Sequence, residues 1–206
     1  MSAPRSGKHR TGNPRNTVDI DLASLCSVEH ACDGCAPGEP CCCSTYEVCV
    51  TAAEMRQIIR VMPEVVKLCP HLETDDGYDN VFEHVEPGLY AIDTTEDGLC
   101  LFAYTARRKI QCALHTVGVE RGIPLAKVKP KACLLWPMTY SEGAEALSLT
   151  DDALDFHCNA LKRKGSRSIS ASFTGAIDLV YGGGCGRLVE QAAKKGARSL
   201  KLTRHR

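Results

Sequence analysis

Three consecutive thiols, Cys41-Cys42-Cys43, constrain this chain more than any other stretch, because they cannot all do one job. In extended backbone adjacent side chains point to opposite sides. Neighbouring cysteines therefore rarely bind one small tetrahedral ion together, and more naturally serve two metals, or one metal and the core. The run belongs to a set of thirteen cysteines in 206 residues, far above ordinary usage yet sparser than a miniature disulfide scaffold.

Disulfides, metal and packing compete for those thiols. The opening segment MSAPRSGKHRTGNPRNT is basic and has no apolar stretch, so no secretory signal is expected. Nowhere do enough apolar residues run together to span a membrane. The expected compartment is the reducing cytoplasm, where structural disulfides are rare. An odd count and a triple run also suit pairwise bonding badly. Metal thiolates plus some buried free thiols are the economical reading.

Charge narrows the function classes. Lys+Arg and Asp+Glu are equal at 25 each, which disfavours a globally basic nucleic-acid binder. The balance conceals segregation. Residues 1–17 carry Arg5, Lys8, Arg10 and Arg15 without an acid and read as a disordered basic arm. Residues 73–97 hold nine acids and no Lys or Arg; lacking calcium-loop spacing, they read as a solvated face. From Arg187 to Arg206 there are seven Lys or Arg and one acid, fitting either a helix docked by its apolar side or a basic flank. RNA or an acidic protein is the partner such termini would take.

The length suits one domain. Residues 26–49, with seven cysteines and Gly34, Pro37, Gly38 and Pro40, read as loop. Thr51 and Glu54 form a capping box, and Met55, Ile58, Ile59 and Met62 follow at helical spacing, so a helix is expected over 51–62. Pro63 kinks it or starts a second short turn toward Cys69. Leu89–Ile92 and Leu99–Tyr104, joined through Asp97-Gly98, predict a hairpin. Ile110–Glu120 predicts a helix ended by Gly122. Ala146–Leu149 reads as a strand, and Thr150-Asp151 opens a helix to about Lys162. The fold class is α+β: a small cysteine-rich, metal-tied domain over 18–165, with several helices and a short antiparallel hairpin. Residues 166–206 add a Gly-rich loop and a basic C-terminal helix or tail.

Candidate ligands follow from spacing. Cys32-Asp33-Gly34-Cys35 is a C-x2-C knuckle whose two sulfurs can converge on one metal. The triple run comes six residues later. Cys100 follows a turn, and Cys112 starts a helix with His115 at i+3 on the same face, a legitimate ligand spacing. Cys133 and Cys158 complete the set. Four ligands near the N-terminus and four from the body suffice for two zincs, or for an iron–sulfur cluster such as 4Fe-4S plus another site. Four sulfurs suit zinc and iron alike, so counting does not separate them. Cys26, Cys49, Cys69 and Cys185 read as small buried hydrophobes. His30, His71, His84 and His157 carry no ligand spacing. The Tyr181–Gly186 stretch lacks the Lys-Ser/Thr ending of a phosphate loop and reads as a connection.

Together the residues are similar to the YkgJ-type cysteine-cluster family, described as zinc- or iron-chelating with a CxxCxxCC motif. The resemblance lies in Cys32–Cys35 with a following Cys pair, the helix start after Val48, Gly98–Phe102, Ile110–His115, Lys129–Pro137 and Cys158, about residues 26–165 in all. It implies metal binding through eight recurrent cysteines: Cys32, Cys35, two of Cys41, Cys42 and Cys43, Cys100, Cys112, Cys133 and Cys158. Here the second gap is widened to Ala36–Pro40, and Cys42 with Cys43 is the preferred pair. Some larger relatives act as flagellin lysine N-methylases with a proposed iron–sulfur role. The resemblance thus implies a metal-binding protein, and leaves open an iron–sulfur enzyme of redox or methyl-transfer type.

Overall fold

A computed structural model describes residues 17–73, 78–141 and 146–203. The basic arm expected over 1–17 lies outside them, except for Thr17. Strands β1 (Thr17–Asp21) and β2 (Val28–His30) flank the short helix α1 (Leu22–Leu25). Helix α2 (Cys42–Thr45) and strand β3 (Val48–Thr51) lead into α3 (Ala52–Ile59) and α4 (Met62–Val65). Two hairpins follow, β4 (Phe82–Glu86) with β5 (Leu89–Ile92), and β6 (Ala103–Ala106) with β7 (Lys109–Cys112). Helices α5 (Ala113–Glu120) and α6 (Lys131–Leu135) precede β8 (Met138–Ser141), β9 (Ala146–Leu149) and β10 (Asn159–Leu161). Helices α7 (Ala171–Tyr181) and α8 (Cys185–Lys194) and strand β11 (Ser199–Thr203) complete the described chain. The fold is α+β, as the sequence pattern predicts.

Two apolar cores organise these elements. In the first, a four-stranded sheet of order β11-β1-β9-β8 pairs β1 parallel to β9 and antiparallel to β11. Val18 and Ile20 alternate inward from β1 and meet Leu147, Leu202, Phe173, Ile177 and Val189, all buried. Each such side chain removed from water contributes about 1.5–3 kcal/mol. The second core gathers Val50, Ile58, Met62, Ile92, Leu114 and Val117 from β3, β5, α3, α4 and α5, with Phe102 from the turn before β6. Residues on both sides of position 165 share the first core, so α7, α8 and β11 are integral to it. Among the described residues, no helix is long and apolar enough to cross a membrane.

The Thr51 capping box forms as expected: the Glu54 N–H donates to Thr51 Oγ1 at 3.3 Å, and the Thr51 N–H donates to Glu54 Oε2 at 2.9 Å. The other Glu54 oxygen accepts the Lys131 N–H at 2.9 Å, which ties α3 to the start of α6. Pro63 does open a second short helix, α4.

Elsewhere long-range pairing overrides local pattern. Ile110 to Cys112 are strand rather than helix: Arg107 and Arg108 both take positive φ and close a tight turn, and Ile110 pairs with Thr105. The helix starts only at Ala113. The Asp97-Gly98 turn forms, with Gly98 N–H on the Thr95 carbonyl at 2.8 Å, but carries a single bridge, Thr94 to Cys100. Leu89–Ile92 pairs instead with β3 and β4. The helix expected over 150–162 is a single 3-10 turn, Ala153–Asp155, followed by β10. Here Asp152 accepts hydrogen bonds from Tyr46 and Thr150, and Asn159 bonds the buried His30 ring at 2.7 Å, so the segment is drawn out against β2. The cysteine-rich loop of residues 26–49 contains β2, α2 and the start of β3. The basic end is a docked helix plus a sheet strand.

Candidate functional site

Between the two cores lies a cavity of about 1040 Å³. Leu135 and Met138 of the first core form one wall, and Ile92, Phe102 and Leu114 of the second form another. Cys32, Cys35, Cys41, Cys42, Cys43, Cys100, Cys112 and Cys133 all reach it. Of the sequence-nominated ligands, Cys158 alone stands behind the lining. His115 reaches the cavity from α5, where burial and the Lys129 charge hold its imidazole below the ordinary histidine range. Cys49, expected to pack, also lines it from β3, whereas Cys26, Cys69 and Cys185 are buried in the cores.

Backbone contacts deliver these thiols. The Ile110 N–H donates to the Cys35 carbonyl at 2.7 Å, docking the knuckle on β7. Lys109 reinforces this by pairing with the Asp33 carboxylate and donating to the Asp33 carbonyl at 3.2 Å. The Cys100 N–H donates to the Cys43 carbonyl at 2.7 Å, joining the triple run to the second core. Cys112 ends β7 and caps α5. Cys133 faces the cavity from α6, while Leu135 on the same helix anchors in the first core. The Ala31 N–H donates to the Cys158 carbonyl at 2.9 Å, setting Cys158 beside the knuckle.

The triple run departs from the extended geometry assumed above. Cys41 caps the helical turn α2, and the Cys42 and Cys43 sulfurs stand 4.0 Å apart. That is close to the sulfur–sulfur edge, about 3.8 Å, of a tetrahedral zinc thiolate.

Electrostatics mark the thiols as a mutually interacting group. Burial, with repulsion from Cys41, Cys32, Cys42 and Cys158, pushes the Cys35 thiol up to about 12. Burial likewise takes Cys100 to about 12, with the Cys112, Cys42 and Cys69 charges adding to it. Hydrogen bonds from Cys43 and Ser44 to Cys41 outweigh its burial and hold it down at about 5. Cys43, whose sulfur stands 4.0 Å from that of Cys42, is pushed far up by Cys41 and Cys42 and keeps its proton. Burial opposes the charge of Lys129, yet the thiols that face it, Cys112 foremost, outweigh burial and hold the ammonium above the ordinary lysine range.

Sequence reasoning missed two neighbours of the sulfurs. Lys129 is one, and nothing in the run Lys127-Val128-Lys129-Pro130-Lys131 singles it out. Trp136 is the other: it lines the cavity, and its ring packs on Tyr46 at 4.8 Å and Phe156 at 4.7 Å. Its place beside Cys133 as the sole tryptophan was the available signal.

All thirteen cysteines are free. Among the described residues, no three His, Cys, Asp or Glu side chains stand close enough together to hold a metal ion. The donors fit a thiophilic metal in type and number; their spacing is that of gathered thiols rather than of a closed coordination shell. No family model matches the chain, and neither does any curated protein or solved structure.

Proposed function

We propose that this chain is a cytoplasmic metal-binding protein that holds zinc or iron through the cysteines of the central cavity. One observation carries the reading: nine thiols separated by up to about a hundred residues of chain line one cavity, with none of them in a disulfide. Thiolate is the soft ligand that selects zinc and iron–sulfur centres over hard cations. The resemblance of the cysteine pattern to the YkgJ-type family supports the same reading, and the free thiols suit a reducing compartment. A four-thiolate ion contributes on the order of 10 kcal/mol to folding, enough to join two cores across a thiol-lined seam.

A second reading is an iron–sulfur protein of redox or methyl-transfer type. The observation favouring it is the cavity of about 1040 Å³, well beyond what one ion and its sulfurs fill and at the upper end of small-molecule sites.

Anaerobic purification with elemental analysis and an ultraviolet–visible spectrum tests both. Stoichiometric zinc in a colourless protein supports the first reading; iron with visible absorption that bleaches on reduction supports the second. Cys32→Ser and Cys133→Ser should each lose metal. Full retention by both variants removes the cavity from consideration.

A further inference from the structure

One group of basic residues serves neither the thiol cavity nor the two cores. Lys162, Arg163, Lys164 and Arg167 stand in the connection from β10 to α7, and Lys195 and Arg198 in that from α8 to β11. Hydrogen bonds curl the first connection: the Ser166 N–H donates to the Arg163 carbonyl at 3.0 Å, and the Lys162 ammonium to the Ser168 carbonyl at 3.0 Å. The Arg167 side chain lies across the second connection, its guanidinium between 3.4 and 3.6 Å from where a Cβ on Gly196 would stand. The Arg198 carbonyl accepts the Ala23 N–H at 3.1 Å, which fixes that connection on α1. Two stretches some thirty residues apart in sequence therefore form one face. Glu29 takes up Lys162, Glu190 takes up Lys194, and Asp19 takes up Lys201. Arg163, Lys164, Arg167, Lys195 and Arg198 are all exposed, and none of the five has a carboxylate partner among the described residues.

Like charges gathered without an acid repel one another and attract a polyanion. Zero net charge does not forbid such a face, because the acids of this chain concentrate in residues 73–97. The remaining residues of the face decide which polyanion fits. Gly165, Ser166, Ser168, Gly196 and Ala197 lie between the cations, with no aromatic or large apolar side chain. A protein partner needs such anchors at the centre of its interface, and a membrane surface needs them to insert. Single-stranded nucleic acid needs rings on which its bases stack. A duplex needs none of these, since its phosphates take lysine and arginine charges, with serine hydroxyls as further donors. The Ser166 and Ser168 hydroxyls, 3.2 Å apart, supply those donors. We infer that this face binds the phosphate backbone of a nucleic-acid duplex without reading its sequence. The site lies apart from the thiols and does not depend on the metal-thiolate reading.

Fluorescence anisotropy of a short labelled DNA duplex, titrated with the full chain at several salt concentrations, is the test. With five cations on phosphates, affinity should fall roughly as the −4.5 power of salt concentration, a loss of about 500-fold from 50 to 200 mM. Arg167→Gln should cut that loss to about 150-fold, and Arg163→Gln/Lys164→Gln to about 40-fold, on duplexes of unrelated sequence alike. Arg107→Gln/Arg108→Gln removes two exposed charges from the β6–β7 turn and should leave the salt dependence unchanged. Equal effects of the two double variants would make binding a matter of net charge and overturn the assignment to this face. Tighter binding of single-stranded oligothymidine than of the duplex, or no binding of the duplex at 50 mM salt, overturns it as well.

Discussion

Gly34, inside the knuckle, has φ +91°, and a Cβ there would stand 3.1 Å from the Ile110 carbonyl oxygen and 3.2 Å from Lys109 Cβ. A side chain there would combine a strained backbone with contacts that make β7 give by a few tenths of an ångström. Gly34→Ala should cost about 1–3 kcal/mol in denaturant unfolding. Gly38→Ala, with φ +87° and open space around its Cβ, isolates the backbone part of that cost and should be the milder change. Equal losses would mean that close approach to β7 contributes nothing. The thiols themselves were legible because cysteine chemistry admits few uses and the compartment argument removed one of them. Lys129 and Trp136 were not, since each meets the cavity only through the fold. Cys49, read as a packing thiol, also lines the cavity, a place that a single thiol without a spacing signal does not announce.

Among the elements, α3 was readable to within a few residues because its start rests on a local capping box. Strands β7 and β10 were not, because their hydrogen-bond partners, β6 and β2, lie elsewhere in the chain and outweigh the helical pattern of their own residues. The α7–α8 pair depends on close contact: a Cβ on Gly186 would come within 2.3 Å of the Thr174 carbonyl oxygen. Backbone cannot yield as a flexible side chain does, so Gly186→Ala should destabilise by about 3 kcal/mol, toward the upper end of ordinary overpacking. Gly175, exposed on α7 with nothing near its Cβ, is the counterpart. Gly175→Ala should gain about 0.5–1 kcal/mol from helix propensity alone. Thermal unfolding of the two variants reads both signs, and a neutral Gly186→Ala would show that the helices can part.

For the whole molecule, the cysteine-cluster region and the basic end looked separable in the sequence, yet they share the first core. Leu202 of β11 is 3% exposed and lies opposite Val18 of β1. A chain ending at Arg198 removes the β11 ladder and opens that core along its length. It should lose several kcal/mol, with far-ultraviolet circular dichroism and limited proteolysis reporting damage to α7 and α8 as well as to the sheet. Native-like protease resistance in the truncated chain would make the basic end an appendage after all. Of the two readings of the basic end, the helix docked by its apolar side is the one the fold adopts: Val189 and Ala193 are buried, and two of its lysines are used in pairs with Glu190 and Asp19.

The antiparallel register of β1 and β11 sets Thr17 across from Thr203, so the two ends of the described chain emerge side by side. Mechanical load applied through those ends runs across the ladder rather than along it. Its hydrogen bonds then break one after another, like a zipper, instead of sharing the force. The first sheet, firm against heat by virtue of its buried face, is for that reason the part of this molecule that yields first to a pull.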